Sequence, residues 1–123
     1  MNDSAPAAAD EAAELARVAA RAADEKLASD IVVLDVADVL GICDHFVIAS
    51  ARNEPQVKAV VGAIEEAVRE ATGRSPHNTE GMDARRWVLL DYGDVVVHVF
   101  LAEERDYYRL ERLYGDVPRT EWA

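Results

Sequence analysis

The sequence has 123 residues, of which 50% are hydrophobic and 30% are charged, a composition that predicts one folded domain and excludes an intrinsically disordered chain. Acidic residues outnumber basic residues by 24 to 13, and the formal charge of -11 disfavours direct binding to nucleic acid or to anionic membranes. The acidic excess favours a basic partner, although it also serves solubility alone.

The N-terminal region carries no signal-peptide pattern, and no apolar run approaches the roughly 18 residues of a membrane span. The single cysteine, Cys43, cannot form an internal disulfide, which fits a reducing compartment. We therefore expect a cytoplasmic protein with a flexible tail over residues 1–9 and a single α/β domain over residues 10–123.

The first predicted elements are a helix and two strands. Residues 10–29 are rich in alanine and carry apolar side chains at helical spacing, which predicts a helix with a narrow apolar face. Residues 31–37 and 45–51 are short runs rich in β-branched side chains, and both predict strands.

A second helix is predicted between Asn53 and Gly73. Asn53 suits the N-cap, Gln56 stands three residues later as in a capping box, and Gly73 ends the helix. Aliphatic side chains recur between them at intervals of three and four residues, so one face of the helix must be covered by a sheet.

The C-terminal half predicts a hairpin. A turn-rich loop of about a dozen residues leads into two strands, residues 86–91 and 94–100, which pair in antiparallel fashion. Gly93 is expected to take the left-handed conformation in the turn between them.

Beyond the hairpin, the spacing of Tyr107, Leu110 and Tyr114 predicts a short helix that ends at Gly115. The element order is then helix, strand, strand, helix, strand, strand, helix. The economical packing of this order is an α/β fold with a four-stranded mixed sheet flanked by helices.

Asp91, Asp94 and His98 are candidates for a metal or catalytic site, together with Asp44 and His45. The strand period opposes that interpretation, because it places His98 between large apolar neighbours on one face. Aspartates that flank a turn commonly accept hydrogen bonds from nearby backbone N–H groups. We therefore favour turn-capping roles for the two acids.

Four ring side chains remain open to more than one interpretation. His98 is a core residue, a ligand or a contact residue, and the core role is favoured. Trp87 is a core residue or an interface residue, depending on whether a helix covers its face. Tyr107 is expected to pack in the core, and Tyr108 to be the more exposed neighbour.

Motifs of common enzyme classes are missing from the sequence: it has no P-loop, no dinucleotide fingerprint and no zinc-ligand spacing. Cys43 and His45 form the only local nucleophile pair, and no motif surrounds them. In "IASARNEPQ", Ala51 stands where a glycine would allow a phosphate to approach the backbone. We expect no catalytic residue, no cofactor and no metal.

The segment "EGMDARRWVLLDYGDVVVHVFLAEERDYYRLERLYGD" resembles the ribosomal silencing factor family, also called Iojap-like proteins. The resemblance extends upstream through "DIVVLDV", "CDHFVIAS" and "QVKAV" and covers about residues 30–118. It implies a cytoplasmic homodimer that binds the large ribosomal subunit through a basic ribosomal protein, large-subunit protein fourteen. Translation is then repressed because the small subunit is excluded sterically.

The resemblance also implies a sheet with nucleotidyltransferase-like topology that lacks the catalytic motif. In agreement, "IASARNEP" has no Gly-Ser phosphate loop followed by Asp-x-Asp. The chain departs from the family pattern at three positions: Ala51 replaces a common glycine, His45 a common tyrosine and Tyr114 a frequent tryptophan. None of the three lies in the "WVLLDYGDVVVHVF" block, so they bear on local packing and dimer contacts more than on the docking function.

We predict that the hairpin and the following helix dock on the ribosomal protein. The predicted contact residues are two apolar anchors, two charged groups and three polar groups: Trp87 and Phe100, Asp91 and Asp94, and Tyr92, His98 and Tyr108. One alternative is a small nucleotidyltransferase-like enzyme that holds Mg²⁺ on Asp44, Asp91 and Asp94. Another is a large-subunit assembly factor that uses the same docking surface.

Overall fold

The structure is a computed structural model that describes residues 4–123, with side chains described from residue 10 onward. It contains these helices and strands, in chain order: α1 Ser4–Glu25, β1 Ser29–Asp35, α2 Ala37–Leu40, β2 His45–Ala51, α3 Glu54–Thr72, β3 Asn78–Glu80, β4 Trp87–Asp91, β5 Val95–Leu101, α4 Ala102–Tyr108, α5 Leu110–Leu113 and β6 Arg119–Thr120. The mixed α/β fold predicted from the sequence is confirmed.

The sheet has six strands in the order β3-β4-β5-β2-β1-β6, not the four that we predicted. β2 and β5 are parallel, and the other neighbouring pairs are antiparallel, so the sheet is mixed as expected. The two additional strands lie at the edges and have only three and two residues. Segments this short contain no complete alternation of apolar and polar side chains, which is why the sequence pattern missed them.

Helix α1 begins at Ser4, whereas we predicted a tail over residues 1–9 and a helix from residue 10. The alanines of residues 4–9 explain the difference, since alanine has the highest intrinsic helix propensity. Residues 1–3 of the predicted tail lie outside the described residues. Although α1 has 22 residues, no helix in the described part of the chain is long and apolar enough to cross a membrane.

Helix α3 has the predicted N-cap at Asn53 and the predicted glycine at its end, but the return bond of the capping box reaches Arg52 rather than the N-cap residue. The Asn53 side chain accepts a hydrogen bond of 2.8 Å from the Gln56 backbone N–H, and Gly73 ends the helix with a φ of 76°. The Gln56 side chain also accepts from the Arg52 N–H at 2.7 Å and donates to the backbone oxygens of Lys26 and Leu27. The helix start is thereby tied to the turn between α1 and β1.

The two faces of the sheet are covered differently. One face packs under α1 and α3 and contains Val47, Val97 and Val99 with no more than trace exposure. The opposite face contains Phe46, Ile48 and Phe100 and is covered by residues of α5 and the C-terminal segment. The elements available to cover this second face are short, so part of it reaches the surface at β4.

The predicted C-terminal helix is two short helices, because Arg109 adopts a left-handed conformation with a φ of 49°. This break corrects the predicted single face of Tyr107, Leu110 and Tyr114. Leu110 and Tyr114 pack against the second sheet face, whereas Tyr107 is 80% exposed. The expectation that Tyr107 belongs to the core is therefore wrong.

Candidate functional site

The exposed part of the second sheet face is an aromatic patch made of Trp87, Leu89, Tyr107 and Tyr108. Trp87 and Leu89 are half-buried and share this face of β4, as the predicted hairpin pairing requires. Tyr108 is 48% exposed, and its ring lies 4.9 Å from that of Trp87, measured between centroids. The patch gives the protein an apolar contact surface at the edge of a packed face.

A shallow hollow of about 300 Å³ adjoins the patch and is lined by Glu80, Gly81, Trp87 and Leu89. It lies where the short edge strand β3 pairs with β4, with Glu80 opposite Leu89. An apolar side chain of a partner inserted here would contact the aromatic patch on one side and a carboxylate on the other.

Trp87 packs inward on Phe100, with ring centroids 4.7 Å apart and an interplanar angle of 29°. Its indole N–H donates a hydrogen bond of 3.0 Å to Nδ1 of His98. Because Phe100 and His98 are buried, the structure places them beneath Trp87 rather than beside it at the surface. Both were predicted to contact a partner, and in this conformation their burial prevents direct contact.

Tyr92 is also buried, on the face covered by α1 and α3. We predicted that it makes a polar contact with a partner, and its burial prevents that contact. Burial raises the pKa of its hydroxyl to about 12, with a further contribution from Glu65. The backbone oxygen of Tyr92 accepts a hydrogen bond of 2.5 Å from Arg74. Tyr92 therefore supports the hairpin turn from inside.

Asp91 caps the hairpin turn, as the turn-capping interpretation predicted, whereas Asp94 holds the corner through the Arg74 side chain rather than through a backbone N–H. Oδ1 of Asp91 accepts a hydrogen bond of 2.8 Å from the Gly93 N–H, and Gly93 has the expected left-handed φ, of 92°. Both oxygens of Asp94 accept from the Arg74 guanidinium, at 3.1 and 2.8 Å. The pairing with Arg74 was missed because nothing local to either residue signals a contact twenty positions away.

The candidate metal ligands do not converge. Among the residues that the structure describes, no group of three or more His, Cys, Asp or Glu side chains could hold a metal ion. Asp44 meets Asp94 through the backbone, where its N–H donates to the Asp94 oxygen at 2.7 Å. The alternative Mg²⁺ site on Asp44, Asp91 and Asp94 is therefore not formed.

Cys43 and His45 do not form a nucleophile pair. The Cys43 thiol donates to the backbone oxygen of His45, at 3.3 Å, rather than to its imidazole. Burial raises the pKa of this thiol, and a raised pKa disfavours the reactive thiolate. Cys43 instead packs in the buried cluster on the second sheet face.

A buried arginine fastens the C-terminal helices to the sheet, and no sequence pattern pointed to it. Arg105 is 6% exposed and donates to the Ser50 hydroxyl at 2.9 Å, to the Asp30 backbone oxygen, and to Glu111 at 3.2 Å. These contacts join α4 to the start of β1 and the end of β2, and α4 in turn places Tyr108 beside Trp87.

Comparison with known proteins places this architecture among ribosome-associated proteins. A family model described as "Ribosomal silencing factor during starvation" matches residues 9–123. The chain is 44% identical over 102 residues to the ribosomal silencing factor RsfS of Bacillus subtilis, covering 83% of this chain and 86% of that protein. It is 35% identical to a mouse protein named "Mitochondrial assembly of ribosomal large subunit protein 1", covering 71% of this chain and 39% of that protein.

A solved structure has the same fold. The crystal structure of protein CV0518 from Chromobacterium violaceum superposes with a TM-score of 0.78 at 34% sequence identity. The match covers 83% of this chain and 84% of that one. The helices and the mixed sheet described above are therefore shared with a determined structure.

Proposed function

Since the chain belongs to the ribosomal silencing factor family, we propose that it is a cytoplasmic translational repressor that binds the large ribosomal subunit and blocks joining of the small subunit. The proposed contact is large-subunit protein fourteen, a basic protein, and the proposed docking surface is the aromatic patch with the hollow lined by Glu80 beside it. The mechanism is steric and requires no chemistry.

The observation that carries this proposal is the half-buried Trp87 beside the exposed Tyr108 on an otherwise packed sheet face. Partly exposed aromatic side chains that are held rigidly bind a partner with little loss of conformational entropy. The net charge of -11 suits a basic partner, and charge attraction would speed association. Asp91 and Asp94 remain in this proposal as half-buried acids at the turn of the hairpin that carries Trp87.

Two finer features accompany the proposal. The sheet is proposed to share its topology with nucleotidyltransferases while lacking their phosphate loop. The chain is also proposed to form a homodimer, and exposed apolar side chains away from the aromatic patch support an interface: Val39, Ile42 and Leu113 are 59%, 88% and 75% exposed.

The test is co-sedimentation of the protein with purified large subunits, small subunits and joined ribosomes. We expect binding to free large subunits only, together with reduced subunit joining. Tyr107→Ser with Tyr108→Ser should weaken binding about tenfold or more, because exposed aromatic side chains supply most of such contacts. Binding should also weaken as salt rises, and Asp91→Asn should slow association.

Leu27→Ser is the matched control, since Leu27 is 73% exposed and lies in the turn between α1 and β1, outside the patch. Unchanged affinity in folded patch variants would contradict the docking assignment.

A role in large-subunit assembly is the second candidate function, favoured by the name of the mouse relative. It predicts accumulation of immature large subunits when the chain is removed, with subunit joining unaffected.

A further inference from the structure

The indole of Trp87 is held in one orientation by contacts on three sides. Phe100 stacks on it, Tyr108 lies 4.9 Å away, and the indole N–H donates to His98 Nδ1 at 3.0 Å. The only hydrogen-bonding group of this side chain therefore points inward. The part of Trp87 that reaches the surface is apolar.

The hydrogen bond also defines the state of His98. A ring nitrogen that accepts a hydrogen bond carries no proton, so the proton of the neutral imidazole resides on Nε2. Within the described residues, Nε2 is buried and has no hydrogen-bond partner. The ring packs edge-to-face on Phe46, with centroids 4.9 Å apart.

This arrangement is costly for a residue that only fills space. A buried N–H without a partner loses its hydration, and an aliphatic side chain would avoid that loss. Among the described side chains, the one polar contact that His98 makes is the bond to Trp87. The feature that distinguishes histidine from an aliphatic residue at this position is therefore the acceptor for the indole.

We propose that His98 is a positioning residue for docking: its neutral, Nε2-protonated ring fixes the indole of Trp87 so that the aromatic patch offers its partner an apolar, non-hydrogen-bonding surface. This inference rests on the proposed function, because it requires Trp87 to lie in the docking surface. It adds that the partner covers Trp87 with an apolar group.

The first test uses the free protein and no ribosome. Nitrogen-15 NMR of the histidine rings should show His98 with an unprotonated Nδ1 and a protonated Nε2. Exchange of the Trp87 indole proton with solvent should be slow, and should become about two- to tenfold faster in His98→Leu, the range that corresponds to the loss of one hydrogen bond. The indole proton of Trp122, the other tryptophan, is the internal reference. A proton on Nδ1 would overturn the proposal.

The second test measures binding to purified large subunits. His98→Leu should bind about tenfold more weakly, and His98→Asn should restore most of the affinity because its amide oxygen can replace Nδ1 as acceptor. Failure of asparagine to restore binding would mean that His98 only fills space. If Trp87→Ala weakens binding and His98→Leu does not, the positioning role is wrong and the docking site stands. If neither variant weakens binding, the assignment of the docking site is wrong as well.

Discussion

Arg74 holds both carboxylate oxygens of Asp94, with Nη1 3.1 Å from Oδ2 and Nη2 2.8 Å from Oδ1. The same guanidinium donates to the backbone oxygen of Tyr92. The segment that follows α3 is thereby joined to the turn between β4 and β5. Asp94 stabilises the corner of the hairpin, whatever else it contacts.

Breaking this pair should cost stability. The two side chains are 33% and 29% exposed, and the hydrogen bond to Asp94 raises the pKa of the Arg74 guanidinium. We expect Asp94→Asn to lower the free energy of unfolding by about 1 kcal/mol, the scale of a bidentate, partly screened pair. Urea unfolding of Asp94→Asn, Arg74→Gln and the double variant measures the coupling free energy between the two side chains. Asp91→Asn is the control, since it keeps an oxygen for the Gly93 N–H; strictly additive effects would contradict the pairing.

Removal of the buried guanidinium of Arg105 should have a larger effect. Arg105→Met leaves the Ser50 hydroxyl and the Glu111 carboxylate without their partner, and we expect a loss of about 3 kcal/mol in the free energy of unfolding. Arg69→Met, at an exposed position on α3, should change it by less than about 0.5 kcal/mol. Hydrogen exchange should show α4 and α5 opening first in Arg105→Met. Equal losses in the two variants would argue against the fastening role.

Two glycines should respond in opposite directions to substitution by alanine. Gly81 has a φ of +89°, and a Cβ there would overlap the backbone oxygen of Trp87. Gly81→Ala should therefore destabilise the protein by at least about 2 kcal/mol and disturb the pairing of β3 with β4. Gly62 lies inside α3 with open space around it, so Gly62→Ala should stabilise the protein by about 0.5–1 kcal/mol. Thermal unfolding should therefore show a lower midpoint temperature than the wild-type protein for Gly81→Ala and a higher one for Gly62→Ala.

The pH dependence of stability should report the burial of His98. Burial lowers the pKa of His98 from 6.5 to about 4 in the folded chain. Between these values the unfolded chain binds a proton that the folded chain does not, so the free energy of unfolding falls as the pH falls from about 6.5 to about 4. Over this range the free energy of unfolding loses about 3 kcal/mol through His98. Below about pH 4 the contribution of His98 no longer changes with pH.

This contribution can be isolated by comparing the wild-type protein with His98→Asn in urea unfolding from pH 4 to pH 7. The carboxylates titrate in both proteins, so the difference between the two curves belongs to His98. We expect the free energy of unfolding of the wild-type protein to rise relative to that of the variant as the pH rises through this window. A difference that does not vary with pH would mean that His98 is protonated equally in the folded and unfolded chains.

Local patterns predicted the elements whose signals are complete within a short window. Strand β2 and the cap of α3 were predicted at their observed positions, and the β4–β5 hairpin was predicted to within a residue. The edge strands β3 and β6 were missed, because two or three residues carry no periodicity and are defined by their pairing partners. The break at Arg109 was missed because nothing in its sequence neighbourhood requires a left-handed conformation.

The sequence by itself determined the α/β class, the faces of the strands, the capping of α3 and the family, since each depends on neighbouring residues or on a contiguous motif. Only the tertiary structure decided which ring side chains reach the surface. His98, Tyr92 and Phe100 are buried while Tyr107 and Tyr108 are exposed, because burial depends on how far the helices on each face extend across the sheet. That extent is set by contacts such as Arg105 with Ser50, fifty-five positions apart, which no local pattern encodes.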